Sequence, residues 1–235
     1  QQNRYQFYNR SKTDVKVDSV DFRTWDLTTL FEEITIHFDA SLQNESELKQ
    51  TSVSDFDTIL HQQEGSEEYR PTLFDLLAQN ALAFYSTSEN NITRPADKFE
   101  IDNPEFLCDG YIFTQMNIST TDDTSLQAKA LCIYQKLLTL HLPSERPYTY
   151  AEVDIQRLHF IYQNAVFENK DQQFLDVLQN DILLEFSENY QQCDDCRKSY
   201  TPHIWTAAVQ VRQKIDHKRT FLYLEQLILK NRVHD

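Results

Sequence analysis

Glycine is nearly absent from this chain: Gly65 and Gly110 are the only two in 235 residues, where average usage of about 7% would give roughly sixteen. Phosphate-cradling loops, dinucleotide fingerprints and nucleophile elbows all place glycine where the backbone needs positive φ or must touch a ligand. Two glycines 45 positions apart build none of these. Hairpin-rich sandwiches and barrels spend glycine in their turns, so the same shortage argues against an all-β architecture. Helices need almost none. No apolar run approaches the length of a membrane-crossing helix. Basic residues are also short, 22 Lys and Arg against 37 Asp and Glu for a net charge of −15, which argues against a nucleic-acid or anionic-membrane partner.

What the chain does have is apolar and aromatic bulk. Hydrophobic residues make up 40% and aromatics 12%, too much for a disordered chain and enough to bury a substantial core. The charge is unevenly spread. Residues 197–235 carry 8 Lys/Arg against 3 Asp/Glu, a local +5 that leaves −20 on residues 1–196. The opening Gln1-Gln2-Asn3 has neither Met nor an apolar leader, and the chain stops within a few residues of an apolar stretch. Both ends read as cut, so a processed protein or a fragment of a larger one is expected.

Helical periodicity dominates the pattern. Asp26 is positioned to cap a segment with Leu27, Leu30, Phe31, Ile34 and Phe38 on one face, and Ser54 precedes a Phe56, Ile59, Leu60 stripe. Thr72 with Asp75 forms a capping box ahead of Leu73, Leu76, Leu77, Ala81 and Phe84. Residues 88–104 read as a long connection, closed by Asn103-Pro104 opening a helical turn. Tyr111-Ile112-Phe113 could be a strand, but a single strand has nothing to pair with. Leu126, Ala130, Ile133, Leu137 and His141 share a face of a helix ended by Pro143 and Pro147. Helices at about 150–167 and 171–191 follow, and Thr201-Pro202 starts the last, with Trp205, Ala208, Val209 and Ile215. Short linkers place successive helices antiparallel. The prediction is an all-α chain of stacked helical hairpins: an irregular α-solenoid, a tetratricopeptide-like array or a bundle. It is divided into an N-terminal helical subdomain (1–120, with the 88–104 connection) and a helical-hairpin subdomain (121–235), together forming one continuous unit.

Chemistry-bearing constellations are few. Cys193-Asp194-Asp195-Cys196 is the one motif with chemical potential. Three readings stand: structural thiols, a local disulfide in an oxidising compartment, or metal or redox chemistry. The pair follows a helix, its two aspartates oppose a thiolate, and no second CxxC or HxxxH completes a zinc set. Cys108 and Cys132 read as small buried hydrophobes. The seven histidines are scattered without HExxH, and Asp97, Asp102 and Asp109 lack the spacing of a calcium loop. No catalytic residue, cofactor or metal is therefore expected. The candidate contact elements are the proline-containing connection (Arg94, Asp97 and Phe99) and the basic C-terminal stretch (Arg212, Lys218 and Arg219).

Several stretches carry a resemblance. They are Arg70-Pro71-Thr72-Leu73-Phe74-Asp75-Leu76-Leu77-Ala78, Thr93-Arg94-Pro95-Ala96-Asp97-Lys98-Phe99, Asp154-Ile155-Gln156-Arg157-Leu158 and Asn164-Ala165-Val166-Phe167. In order and spacing they resemble the helical N-terminal region of large alpha-2-macroglobulin-like proteins of Gram-negative gut bacteria, as do Tyr5–Arg10 and Thr24–Leu27. The resemblance implies a non-catalytic interaction domain in the periplasm or at the outer membrane, within a parent that traps or inhibits proteases. Its partners would be other domains of that parent, another envelope protein or, through the parent, proteases. The thioester cysteine of that family cannot be placed on Cys108, Cys132, Cys193 or Cys196, none of which precedes Glu-Gln at the required spacing. The alternatives are a stand-alone envelope protein binding peptide or glycan, with Trp25 and Trp205 as platforms, or a helical-bundle enzyme using carboxylates or Cys/His.

Overall fold

The computed structural model describes residues 21–60, 66–87, 99–142 and 147–177. The chain forms two compact units, residues 1–168 and 169–235. Among the described residues the fold is all-α, with two isolated β-bridges and no strand. The described residues of the first unit form α1 (Leu27–Ser41), α2 (Glu45–Gln50), α3 (Leu73–Tyr85), α4 (Gly110–Thr114), α5 (Leu126–His141) and α6 (Pro147–Asn164). In the second unit α7 (Lys170–Val177) is described, with Phe174 buried. It follows Asn169, whose φ of 60° lies in the left-handed region, one that Asn tolerates better than most residues.

Helix starts follow their caps. Asp26 accepts a hydrogen bond from the Thr29 amide at 2.8 Å, beginning α1. The expected capping box opens α3, with Thr72 Oγ1 accepting from the Asp75 amide at 3.2 Å and Asp75 Oδ2 from the Thr72 amide at 2.9 Å. Asn103 caps the Pro104–Phe106 turn, a single turn of 3-10 helix. Tyr111-Ile112-Phe113 belongs to α4, begun by Asp109 Oδ1 accepting from the Tyr111 and Ile112 amides. Pro147, expected to end the preceding helix, instead occupies the first position of α6, where a missing N–H costs nothing.

The centre of the first unit is α5, which packs against α3, α4 and α6. Ala128, Ala130, Leu131, Ile133, Tyr134, Leu137, Leu138 and His141 are all buried on it, so it is covered around most of its circumference and not along one stripe. Its pairing with α6 is antiparallel: Gln127 at the start of α5 donates to Asn164 at the end of α6, 3.2 Å away. The α3–α5 pairing is antiparallel as well. At one end Asp75 meets His141, and at the other Tyr85 and Lys129 both reach Asp39. Helical hairpins thus stack as predicted. Helices α3 and α4, which precede residue 120, pack directly on α5, which follows it.

Two expectations shift. The face predicted inward on α3 (Leu73, Leu76, Leu77 and Phe84) is half-buried, apart from the fully buried Ala81, whereas Phe74, Ala78, Leu82 and Tyr85 complete the fully buried stripe. The reason is two-sided packing. Phe84 turns to α1, with ring centroids 5.2 Å from Phe31 and 5.5 Å from Phe38, while the other side of α3 serves α5. The Ser54 stripe is likewise not a helix. Ser52 caps a short 3-10 turn (Val53–Phe56), Val53 is its buried residue, and Ile59 is 78% exposed. The chain is held here by an antiparallel bridge, with the Val53 amide donating to the Pro71 carbonyl and the Leu73 amide to the Thr51 carbonyl. The six-residue α2 carries no apolar periodicity to announce it.

Gly110 shows why one of the two glycines is retained. A Cβ there would stand 2.4 Å from the Tyr150 hydroxyl and 2.8 Å from Asp154 Oδ1, both on α6. Asp154 is held in place by Arg157. Gly110→Ala is therefore expected to lower stability by about 1–3 kcal/mol, the usual cost of overpacking, read as a lower urea midpoint with an unchanged denaturant slope. An unaltered midpoint would show that α4 has room to shift.

Candidate functional site

Charged groups are concentrated inside the first unit, on the core face of α6. Val153, Leu158 and Ile161 are buried there, and Ala165 is buried just beyond the helix end. Asp154 and Arg157 lie among them. Arg157 is fully buried. Its Nε donates to Asp154 Oδ1 at 2.7 Å, and its two terminal nitrogens donate to the carbonyls of Phe106 (3.0 Å) and Cys108 (2.7 Å). The guanidinium plane lies over the Phe113 ring, 4.5 Å from its centroid. A planar, forked donor set suits such a site, which an ammonium could not fill. Burial pushes the Asp154 carboxyl up from its ordinary range, and Arg157 pulls against that rise.

A second group joins α3, α5 and α6. His141 Nε2 donates to Asp75 Oδ1 at 2.7 Å, and both side chains are buried. The other oxygen of Asp75 accepts from the amide and hydroxyl of Thr72. Glu152 Oε1 accepts from Arg70 at 3.3 Å and from Gln156 at 3.2 Å, while its buried Oε2 has no hydrogen-bond partner. Burial raises the Glu152 carboxyl; Arg70 opposes the rise and the nearby Asp75 adds to it.

These groups hold structure together. The guanidinium of Arg157 is occupied by three oxygen acceptors and a ring, so it offers no charge to a ligand. The thiols are also quiet. Burial pushes Cys108 up to about 11 despite Arg157 beside it, and burial raises Cys132, so neither is a thiolate near neutrality. Both are half-buried, less enclosed than expected. No group of His, Cys, Asp and Glu able to hold a metal ion occurs among the described residues, and no described helix is long and apolar enough to cross a membrane. Of the candidate contact residues, Phe99 is half-buried, with its amide donating to Asp122 Oδ2 at 3.3 Å. It leads into Ile101, which is fully buried and bridges to the end of α6. Arg94, Asp97, Arg212, Lys218, Arg219, the Cys193–Cys196 pair, Trp205 and Tyr5–Arg10 lie outside the described residues. Sequence reasoning missed Arg157 as a core residue. Its signal was an acid–base pair three apart on an otherwise apolar helix face.

Comparison with known proteins points to the C-terminal stretch. Residues 204–235 match the family profile described as NMD3, second domain. Over 58 residues, 25% of this chain, the sequence is 60% identical to the 60S ribosomal export protein nmd3 of Schizosaccharomyces pombe and 55% identical to that of Chaetomium thermophilum. It is 52% identical over the same length to the Saccharomyces cerevisiae protein. The chain spans 11 to 12% of the length of these relatives. No solved structure matches.

These matches overturn the resemblance to bacterial alpha-2-macroglobulin-like proteins. The protease-trap parent, the envelope or protease partners, the periplasmic or outer-membrane location and the alternative envelope binding roles fall with it, because the matched relatives are ribosomal export proteins of eukaryotes. The exclusion of nucleic acid is withdrawn too. It rested on a charge summed over the whole chain, whereas the matched residues 204–235 hold 6 Lys/Arg against 3 Asp/Glu, among them Arg212, Lys218 and Arg219.

Two outcomes test the buried network. Arg157→Met removes the guanidinium but leaves Asp154 and two carbonyls buried, and is expected to destabilise the first unit by about 3–5 kcal/mol, as for a broken buried ion pair. Urea unfolding followed by circular dichroism measures it. Glu152→Gln keeps the acceptor for Arg70 and removes the charge. A carboxyl raised by folding contributes stability fully present below its unfolded value of 4.5 and lost as pH rises through the higher folded value. The stability of the wild type relative to the variant should therefore fall as pH climbs from about 4 to 7, and a difference independent of pH would contradict the assignment.

Proposed function

We propose that this chain acts, without catalysis, in the export of the large ribosomal subunit, through a C-terminal segment that docks on that subunit. The observation that supports this reading is the match of residues 204–235 to the second domain of NMD3, alongside the 60% identity to a 60S ribosomal export protein. The charge of the segment fits the role. Six basic residues against three acidic ones within 32 positions suit an anionic, RNA-rich surface, and each side chain that neutralises a phosphate releases condensed counterions. Arg212, Lys218 and Arg219 are the residues assigned to that contact. The buried Arg157 of the first unit, with its guanidinium fully occupied, is compatible with a packed, non-catalytic body.

Co-sedimentation of the full chain with purified 60S subunits tests the reading, with 40S subunits as the control. The wild type is expected to travel with 60S and to dissociate steeply as salt increases. The triple variant Arg212→Glu, Lys218→Glu, Arg219→Glu should bind at least about tenfold more weakly, with a shallower dependence on salt. Equal distribution on both subunits, or binding indifferent to the three reversals, would overturn the proposal.

A further inference from the structure

We draw no further inference here: the strongest candidate, the buried side-chain cluster of Arg70, Asp75, His141 and Glu152 where α3, α5 and α6 meet, belongs to the packing network already described and nothing in the structure points to a ligand there.

Discussion

The first unit depends on one buried cation. Arg157 is placed in the interior of a helical stack, where an unpaired charge would cost several kcal/mol, a large share of a domain's whole stability. Every neighbour is therefore conscripted to satisfy it: Asp154 one turn back, the carbonyls of Phe106 and Cys108 at the end of a 3-10 turn, and the ring of Phe113. Those carbonyls lie in the short segment between the Asn103 cap and α4. Non-helical backbone inside a protein needs partners for its polar groups, and the guanidinium supplies them. Arg157 and segment 103–114 thus solve each other's desolvation problem. Gly110 follows from the same arrangement, since only a residue without Cβ lets the start of α4 lie this close to Asp154.

Around that anchor, α5 distributes the packing. It gives apolar surface to three helices and also polar repair. Gln135 donates to the carbonyls of Phe113 and Met116 at 2.9 and 2.8 Å, satisfying oxygens at the end of α4. Lys129 reaches Asp39 at 2.7 Å and Lys136 pairs with Glu45, drawing in α1 and α2. Those outer pairs are partly exposed and contribute little individually. The outer helices are correspondingly less enclosed, with Ile34 and Ile36 on α1 still facing solvent.

How much of this was legible in the sequence divides by range. Caps are local chemistry, so Asp26, Thr72 with Asp75, and Asn103 before Pro104 were readable three residues at a time. The choice between Leu73 and Phe74 as the inward residue was not, because α3 is greasy on both sides and only the positions of α1 and α5 decide. The burial of Arg157 depends on carbonyls about fifty residues away in the chain, which no local pattern encodes. The mistaken resemblance has the same root. Its stretches Arg70–Ala78 and Asp154–Leu158 prove to be a capping box and a buried ion pair, devices that any helical protein can use. The informative stretch was the basic C-terminal one. Averaging its charge into the acidic whole hid what its own residues carried.

Asp75 performs two tasks with two oxygens. One closes the first turn of its own helix, and the other grips His141 at the last turn of α5, 66 residues further along. A helix-start signal is ordinarily a private matter, settled within four residues. Here the carboxylate that starts α3 also makes a long-range contact at the far end of α5. Initiation of one helix and termination of the other are thereby written into a single side chain. A chain with α5 out of register forfeits that buried partner, so one side chain ties the start of α3 to the end of α5.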